Sequence, residues 1–371
     1  MTSKEAFLAL NLLPGIGPVR VRKLLEELGE PEDILAASPT LLQKVPGIGK
    51  EMATLIASWE EHVDLEEEKR RMKDHGIVAL TLHDEEYPPA LREIHDPPFL
   101  LYVKGEIRKS DAAGIGVVGS RRMTHYGKEQ ATKLSYQLAK AGFCILSGLA
   151  RGIDTAAHEA ALAAGGRTIA VLGSGIGHLY PPENAALAER IAENGAVISE
   201  FPVLYVPDKQ SFPLRNRIVA GMSQGLLVVE APARSGSLIT ANQALEQGRS
   251  VFAVPGPINR PNSEGCHRLI RSGATLVCQA QDVIDELEAE IHSLGLQFHE
   301  ETTAEEAARP GLVLAEGERI ILSKMEGIEN TIDGLAEATG LPAGVVSAHL
   351  LHLEMKALVK QLPGKYFAKL I

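Results

Sequence analysis

Aromatic residues make up only 4% of this 371-residue chain, and its three cysteines are odd in number with no C-x-x-C spacing. The first shortage argues against extended ring-stacking surfaces. The second excludes a disulfide framework and a thiolate zinc site, and points to a reducing compartment, the cytoplasm. Basic charge is also scarce: 37 Lys and Arg face 48 Asp and Glu, for a formal net charge of -11. That balance excludes a uniformly basic polyanion binder. It leaves room for a local basic stripe, because screening confines distant charges to a Debye length of about 8 Å. No apolar run reaches about 18 residues. The opening "MTSKEAFLALNLLPGIG" puts Lys4, Glu5, Pro14 and Gly15 where a signal core would have to lie, so neither export nor membrane insertion is expected.

Several catalytic and cofactor signatures are missing too. "GIGVVGSRR", Gly114 to Arg122, matches G-x-G-x-x-G by letter. A dinucleotide turn needs those glycines after a finished strand, with an acid about 20 residues on. Here the strand is Ile115 to Val118 itself, and the next apolar run leads into Ser147 and Gly148. There is no Gly-x-x-x-x-Gly-Lys-Ser/Thr phosphate loop and no G-x-S-x-G elbow. No cofactor, metal or catalytic residue is expected.

What is present falls into stretches. Pro-Gly-Ile-Gly occurs at 14 to 17 and again at 46 to 49, each copy opening a helix. Val21, Leu24, Leu25 and Leu28 follow the first copy at helical spacing, as Met52, Leu55, Ile56 and Trp59 follow the second. Two readings stand: a helix-hairpin-helix that offers backbone N–H groups to phosphate, or a small bundle with tight turns. Lys50, with Arg20 or Arg22, supplies the positive charge. A helix of mixed charge ending at Gly76 reads as a solvated face and a boundary. From Ile77 on, the apolar runs "IVALTL", "IGVVG", "FCILSG", "TIAVLG", "AVISE", "LLVVEA", "SVFAVPG" and "TLVC" alternate with helical patterns. That alternation predicts a Rossmann-like, doubly wound, mostly parallel sheet over 76–290. Residues 291–310 read as a linker. The tail, 311–371, has the layout of a winged helix: a helix, a turn at Gly340-Leu341-Pro342, a second helix over 343–357, and a hairpin turned by Pro363-Gly364. Its second helix offers Lys356 against Glu354, with His349 and His352, a weak attraction for phosphate.

Ligands of doubly wound sheets bind outside the carboxyl ends of the strands. The residues there are Gly119-Ser120-Arg121-Arg122, then Ser147 through Asp154, Gly173-Ser174-Gly175, and Ala233-Arg234-Ser235-Gly236-Ser237, with "FPLRNR" opening a helix. Gly and Ser let backbone N–H groups approach an anion, and an Arg fork pairs with phosphate oxygens. Arg121, Arg151, Arg215, Arg217 and Arg234 are too many for one pyrophosphate and suit a chain of phosphates. Asp154 is read as a cap or as a carboxylate orienting Arg151 or Arg121, and His158 as a packed helix residue. His178 and Tyr180 are candidate stacking residues.

The ordered series "GSRR", "SGLARGIDTAAHEAAL", "GSGIGHLYPPEN", "ISEFP", "FPLRNRIVAGMS", "VVEAPARSGSLITANQALEQGRSVFAVPG" and "LIRSGA" resembles the DNA-processing protein A (DprA/Smf) family across about 80 to 290. The resemblance implies a cytoplasmic, homodimeric protein that binds single-stranded DNA and loads the RecA recombinase in natural transformation. It also implies an N-terminal SAM-like extension over 1–75 and a C-terminal winged helix. The phosphate pocket it implies comprises Gly119, Ser120, Arg121, Ser147, Gly148, Arg151, Phe212, Arg215, Asn216, Arg217, Ser235, Gly236 and Ser237. Lys50, Arg234 and His267 are auxiliary contacts, His267 standing where many members carry Asn. The rival reading is a nucleotide phosphoribohydrolase, in which a glutamate closely follows a glycine-rich loop. Here the first acid after Ser237 is Glu246, roughly two and a half helical turns on.

Overall fold

Local sequence explains the N-terminal helices of the computed structural model, which describes residues 1–293, 315–325, 330–356, 358–362 and 366–369. Thr2 and Glu5 form a reciprocal capping box at the start of α1 (Ser3–Leu12). Gly15 and Gly47 adopt φ of +78° and +92°, the left-handed region that glycine enters without a steric penalty. Each turn leads to a glycine that caps a helix, Gly17 before α2 (Pro18–Leu28) and Gly49 before α5 (Lys50–Ala57). Between them lie α3 (Pro31–Ala36) and α4 (Pro39–Leu42), and α6 (Leu65–Asp74) follows.

Two compact units make up the chain, Met1–Glu300 and Glu301–Ile371. In the first, a nine-stranded sheet runs in the order β1-β2-β6-β5-β4-β3-β7-β8-β9. The strands are β1 (Ile77–Thr81), β2 (Leu100–Gly105), β3 (Gly114–Val118), β4 (Cys144–Ser147), β5 (Thr168–Leu172), β6 (Gly195–Ser199), β7 (Gly225–Val228), β8 (Ser250–Ala253) and β9 (Thr275–Leu276). Pairing is parallel from β6 to β9, whereas β1–β2 and β2–β6 are antiparallel. The sheet is therefore the mostly parallel, Rossmann-like one expected, with an added antiparallel edge. Strand β2 is absent from the sequence expectation. The connecting helices are α7 (Pro89–Arg92), α8 (His125–Lys140), α9 (Ile153–Ala163), α10 (Ala185–Asn194), α11 (Ser211–Met222), α12 (Gly236–Glu246), α13 (Glu264–Arg271) and α14 (Ala280–Ser293).

One core cluster joins Phe7, Leu10 and Met72 of the N-terminal helices to Tyr102, Leu172 and Val197 of the sheet. Helix α6 differs from the solvated face expected of it: Glu68 is 1% exposed, and its carboxylate accepts the Val203 N–H at 2.7 Å. A buried acid survives here because a backbone donor meets it.

The second unit is a winged helix. It contains α15 (Glu316–Lys324), which the sequence expectation lacked, then α16 (Ile332–Thr339) and α17 (Ala343–Met355). A three-stranded sheet, β10 (Asn330–Thr331), β12 (Tyr366–Lys369) and β11 (Val359–Leu362), completes it. Gly340, at φ +71°, turns the chain between α16 and α17. Lys356 donates to Glu318 at 2.6 Å, so its ammonium is held inside the unit. The linker from residue 294 onward and the Pro363-Gly364 turn lie outside the described residues.

Candidate functional site

The chain reverses its direction of strand addition at β3, which lies between β4 and β7. Ligands of doubly wound sheets settle beside such a reversal, at the carboxyl edge. Here the exits of β3, β4 and β5 and the start of α11 form a cleft lined by Arg121, Gly148, Ala150, Arg151, Gly173, Tyr180, Pro181, Phe212 and Arg215.

The β4 exit is held in an uncommon conformation. Leu149 has φ +55° although it is not glycine, a strain that persists only where neighbours impose it. Asp154, buried at the start of α9, accepts the Gly148 N–H at 3.2 Å and the Ala150 N–H at 3.4 Å. Asn184 donates to the Leu149 carbonyl at 2.9 Å. Asp154 therefore fixes a loop, and its role as a capping carboxylate is realised on Gly148 and Ala150, not on the Arg151 side chain. Burial raises the Asp154 pKa above the ordinary range, against the pull of Arg215. The β3 exit is tied to this loop: Ile153 N–H donates to Ser120 O at 3.2 Å. A Cβ on Gly152, whose φ is +83°, would stand 2.2 Å from that same oxygen, so only glycine permits the approach. Beneath the β3 loop, buried Glu230 accepts the Thr124 N–H at 2.8 Å and lends its carbonyl to Ser120 N–H at 2.7 Å.

Three arginines meet at this cleft by different means. Arg215 is buried, with Nη1 donating to the Gly148 and Val171 carbonyls and Nε to Asn216 at 3.0 Å. Burial lowers its pKa to about 10, with Asp154 opposing the shift, so it remains charged at neutral pH. Gly148 is needed here because a Cβ would meet the Arg215 guanidinium at 2.2 Å. Arg121 is exposed, its guanidinium 5.1 Å from the centre of the Phe212 ring. Arg151 lies 6.0 Å from the centre of the Tyr180 ring and pairs with Glu183. Tyr180 and Phe212 are themselves 5.9 Å apart, so two rings stand between two cations.

The remaining expected residues divide. Gly119 packs against Ile153, and the Ser147 hydroxyl donates to Val117 O at 2.6 Å inside the core. Both support the loops from below. Ser235, Gly236 and Ser237 open α12, where the Ser235 hydroxyl caps Ser237 N–H at 3.3 Å. They do not line this cleft, and Arg234 stands exposed beside them. His267 sits with Nε2 2.9 Å from Gly256 O, engaged with backbone. Lys50 is exposed at the start of α5.

Arg217 is placed against expectation. It is 4% exposed, grips both oxygens of buried Glu200 at 2.6 and 2.7 Å, and lies 3.1 Å from Asp96. Two residues along a helix turn about 200°, so Arg215 and Arg217 cannot face the same cleft. Burial raises the Glu200 pKa while Arg217 opposes the shift.

Among the described residues no group of three or more His, Cys, Asp and Glu could hold a metal, and no helix is long and apolar enough to cross a membrane. Sequence reading missed Glu230, Asn184 and Glu183. The only signal for them was polarity at a strand or turn exit.

Comparison with known proteins places the chain. The sequence profile of the DNA recombination-mediator protein A family matches residues 78–288. The DprA winged helix domain matches 305–365, and the SAM-like helix-hairpin-helix tandem matches 7–58. Protein Smf of Synechocystis is 35% identical over 99% of both chains. DNA processing protein A of Streptococcus pneumoniae aligns in structure with a TM-score of 0.69 at 37% identity, covering 77% of this chain and 98% of that one. DNA processing protein A of Helicobacter pylori, whose structure describes a single-stranded DNA binding mode, aligns at 0.52 and 32% identity over 57% and 96%. With the three profiles and the near full-length relative in agreement, the chain belongs to the DNA recombination-mediator protein A family.

Proposed function

We propose that this protein binds single-stranded DNA through the cleft at the carboxyl edge of its sheet, and that it does so as a homodimer that loads the RecA recombinase onto the strand in the cytoplasm. The convergence of Arg121, Arg151 and Arg215 on one cleft carries this reading. Each offers a planar fork suited to phosphate oxygens. The two rings between them stiffen the cations and offer little surface for reading bases, so affinity comes from the phosphate chain. A single-stranded DNA binding mode in the Helicobacter pylori relative supports single-stranded DNA as the ligand.

In this proposal 76–290 is the DNA-binding domain, 1–75 and 311–371 are accessory modules, and 291–310 links them. No catalytic step is assigned. A nucleotide-cleaving reading needs a carboxylate at the start of α12, whereas Glu246 is the last residue of that helix.

Replacing Arg121 with Ala tests the cleft, because its side chain is exposed and the change leaves the core intact. Loss of a charge-assisted contact is worth about 1.5 to 3 kcal/mol, so fluorescence anisotropy on a labelled oligonucleotide should show affinity falling at least about tenfold. A folded variant with unchanged affinity would remove the cleft from the account.

A further inference from the structure

We propose that the Arg151–Glu183 ion pair masks one arginine of the phosphate cleft, and that single-stranded DNA binds by displacing the Glu183 carboxylate from Arg151, which makes Glu183 a determinant of affinity. The proposal rests on the reading of the cleft as the DNA site.

Three observations carry it. Glu183 lies in a short turn, Pro182–Asn184, whose next residue is anchored. Asn184 is 7% exposed and donates to Leu149 O and to the Thr155 hydroxyl, both at 2.9 Å. The carboxylate is thus delivered to Arg151 by a fixed piece of backbone. Second, Arg151 is held from two sides, by the Glu183 oxygen and by the Tyr180 ring. Third, Arg151 lines the cleft, and both partners of the pair can move, their side chains being 54% and 48% exposed.

A carboxylate and a phosphate compete for the same guanidinium fork. Hydrogen bonding to Arg151 holds the Glu183 carboxyl below its ordinary range, so it is ionised at neutral pH and competes with an incoming phosphate for Arg151. A lone phosphate must overcome this at one contact, whereas a strand held at neighbouring arginines is already local when the pair opens.

The test is a double-mutant cycle on the full chain, read by anisotropy of a labelled homopolymer single strand. Glu183→Gln keeps the shape and removes the charge. It should bind about two- to fivefold tighter than the parent, the range set by an exposed ion pair. In an Arg151→Ala background the same change should have no effect. Weaker binding by Glu183→Gln would make Glu183 a support for Arg151, not its competitor, and would overturn the proposal. Equal tightening in both backgrounds would assign the effect to general charge and overturn it as well. Insensitivity to Arg121→Ala identifies the other failure, that of the DNA cleft itself, and the proposal falls with it.

Discussion

At the scale of single residues, the outcome turns on which arginine faces which way. "FPLRNR" places Arg215 and Arg217 side by side in the sequence, and composition treats them alike. Helical geometry separates them, one into the cleft and the other onto Glu200 and Asp96. The helix register alone could have divided them, since residues two apart cannot share a helix face. What remained invisible was the partner, because Glu200 follows β6 and reads as an exposed acid at a strand exit. Arg217 is accordingly a structural residue. Removing it strands a buried carboxylate, a change that costs about 3 to 5 kcal/mol. Arg217→Ala should lower the free energy of urea unfolding by that amount, while the fraction that remains folded binds single-stranded DNA as the parent does. A stable variant with impaired binding would return Arg217 to the DNA site.

At the scale of elements, the loops after the parallel strands were the most legible part of the chain. An apolar run followed by Gly, Ser and Arg is readable without a fold, and Arg121, Gly148, Arg151, Phe212 and Arg215 do come together. Strand β2 was illegible for a physical reason: "PPFLLYVKG" follows a proline-rich stretch with only the four-residue helix α7 before it, so the strand–helix alternation that reveals parallel strands is broken. Helix α15 follows residues of no clear periodicity and was lost among them. Helix α9 and strand β5 are joined by a contact with a measurable signature. The Thr168 hydroxyl donates to Ile145 O at 2.6 Å, so it accepts from His158 Nδ1–H at 2.7 Å, and His158 Nε2 is buried without a partner. Burial, aided by the charge of Arg215, lowers the His158 pKa to about 3. An unfolded histidine takes up its proton near pH 6.5, whereas the folded one stays neutral down to about pH 3. Stability from this residue is therefore fully present above about 6.5 and declines as the pH falls, by about 1.4 kcal/mol per unit. Urea unfolding at pH 7 and pH 4 should show a loss in the parent that exceeds the loss in His158→Asn by about 3 kcal/mol. Equal losses would mean that His158 is protonated in the native state.

At the scale of the whole molecule, the proposed function asks a chain with a net charge of -11 to hold a polyanion. The resolution is local. Arg121, Arg151 and Arg215 lie within one cleft, and counterion release depends on the phosphates contacted there, not on distant acids screened beyond a Debye length of about 8 Å. In the winged helix, the Lys356 ammonium is held by Glu318. The most direct measurement is the salt dependence of affinity for a homopolymer single strand, made on the parent and on Arg121→Ala. Three phosphate contacts at about -0.7 each give a slope of log affinity against log salt near -2, and the variant should be shallower by about 0.7. A parental slope near zero, or one that Arg121→Ala leaves unchanged, would contradict a cleft built to hold a chain of phosphates.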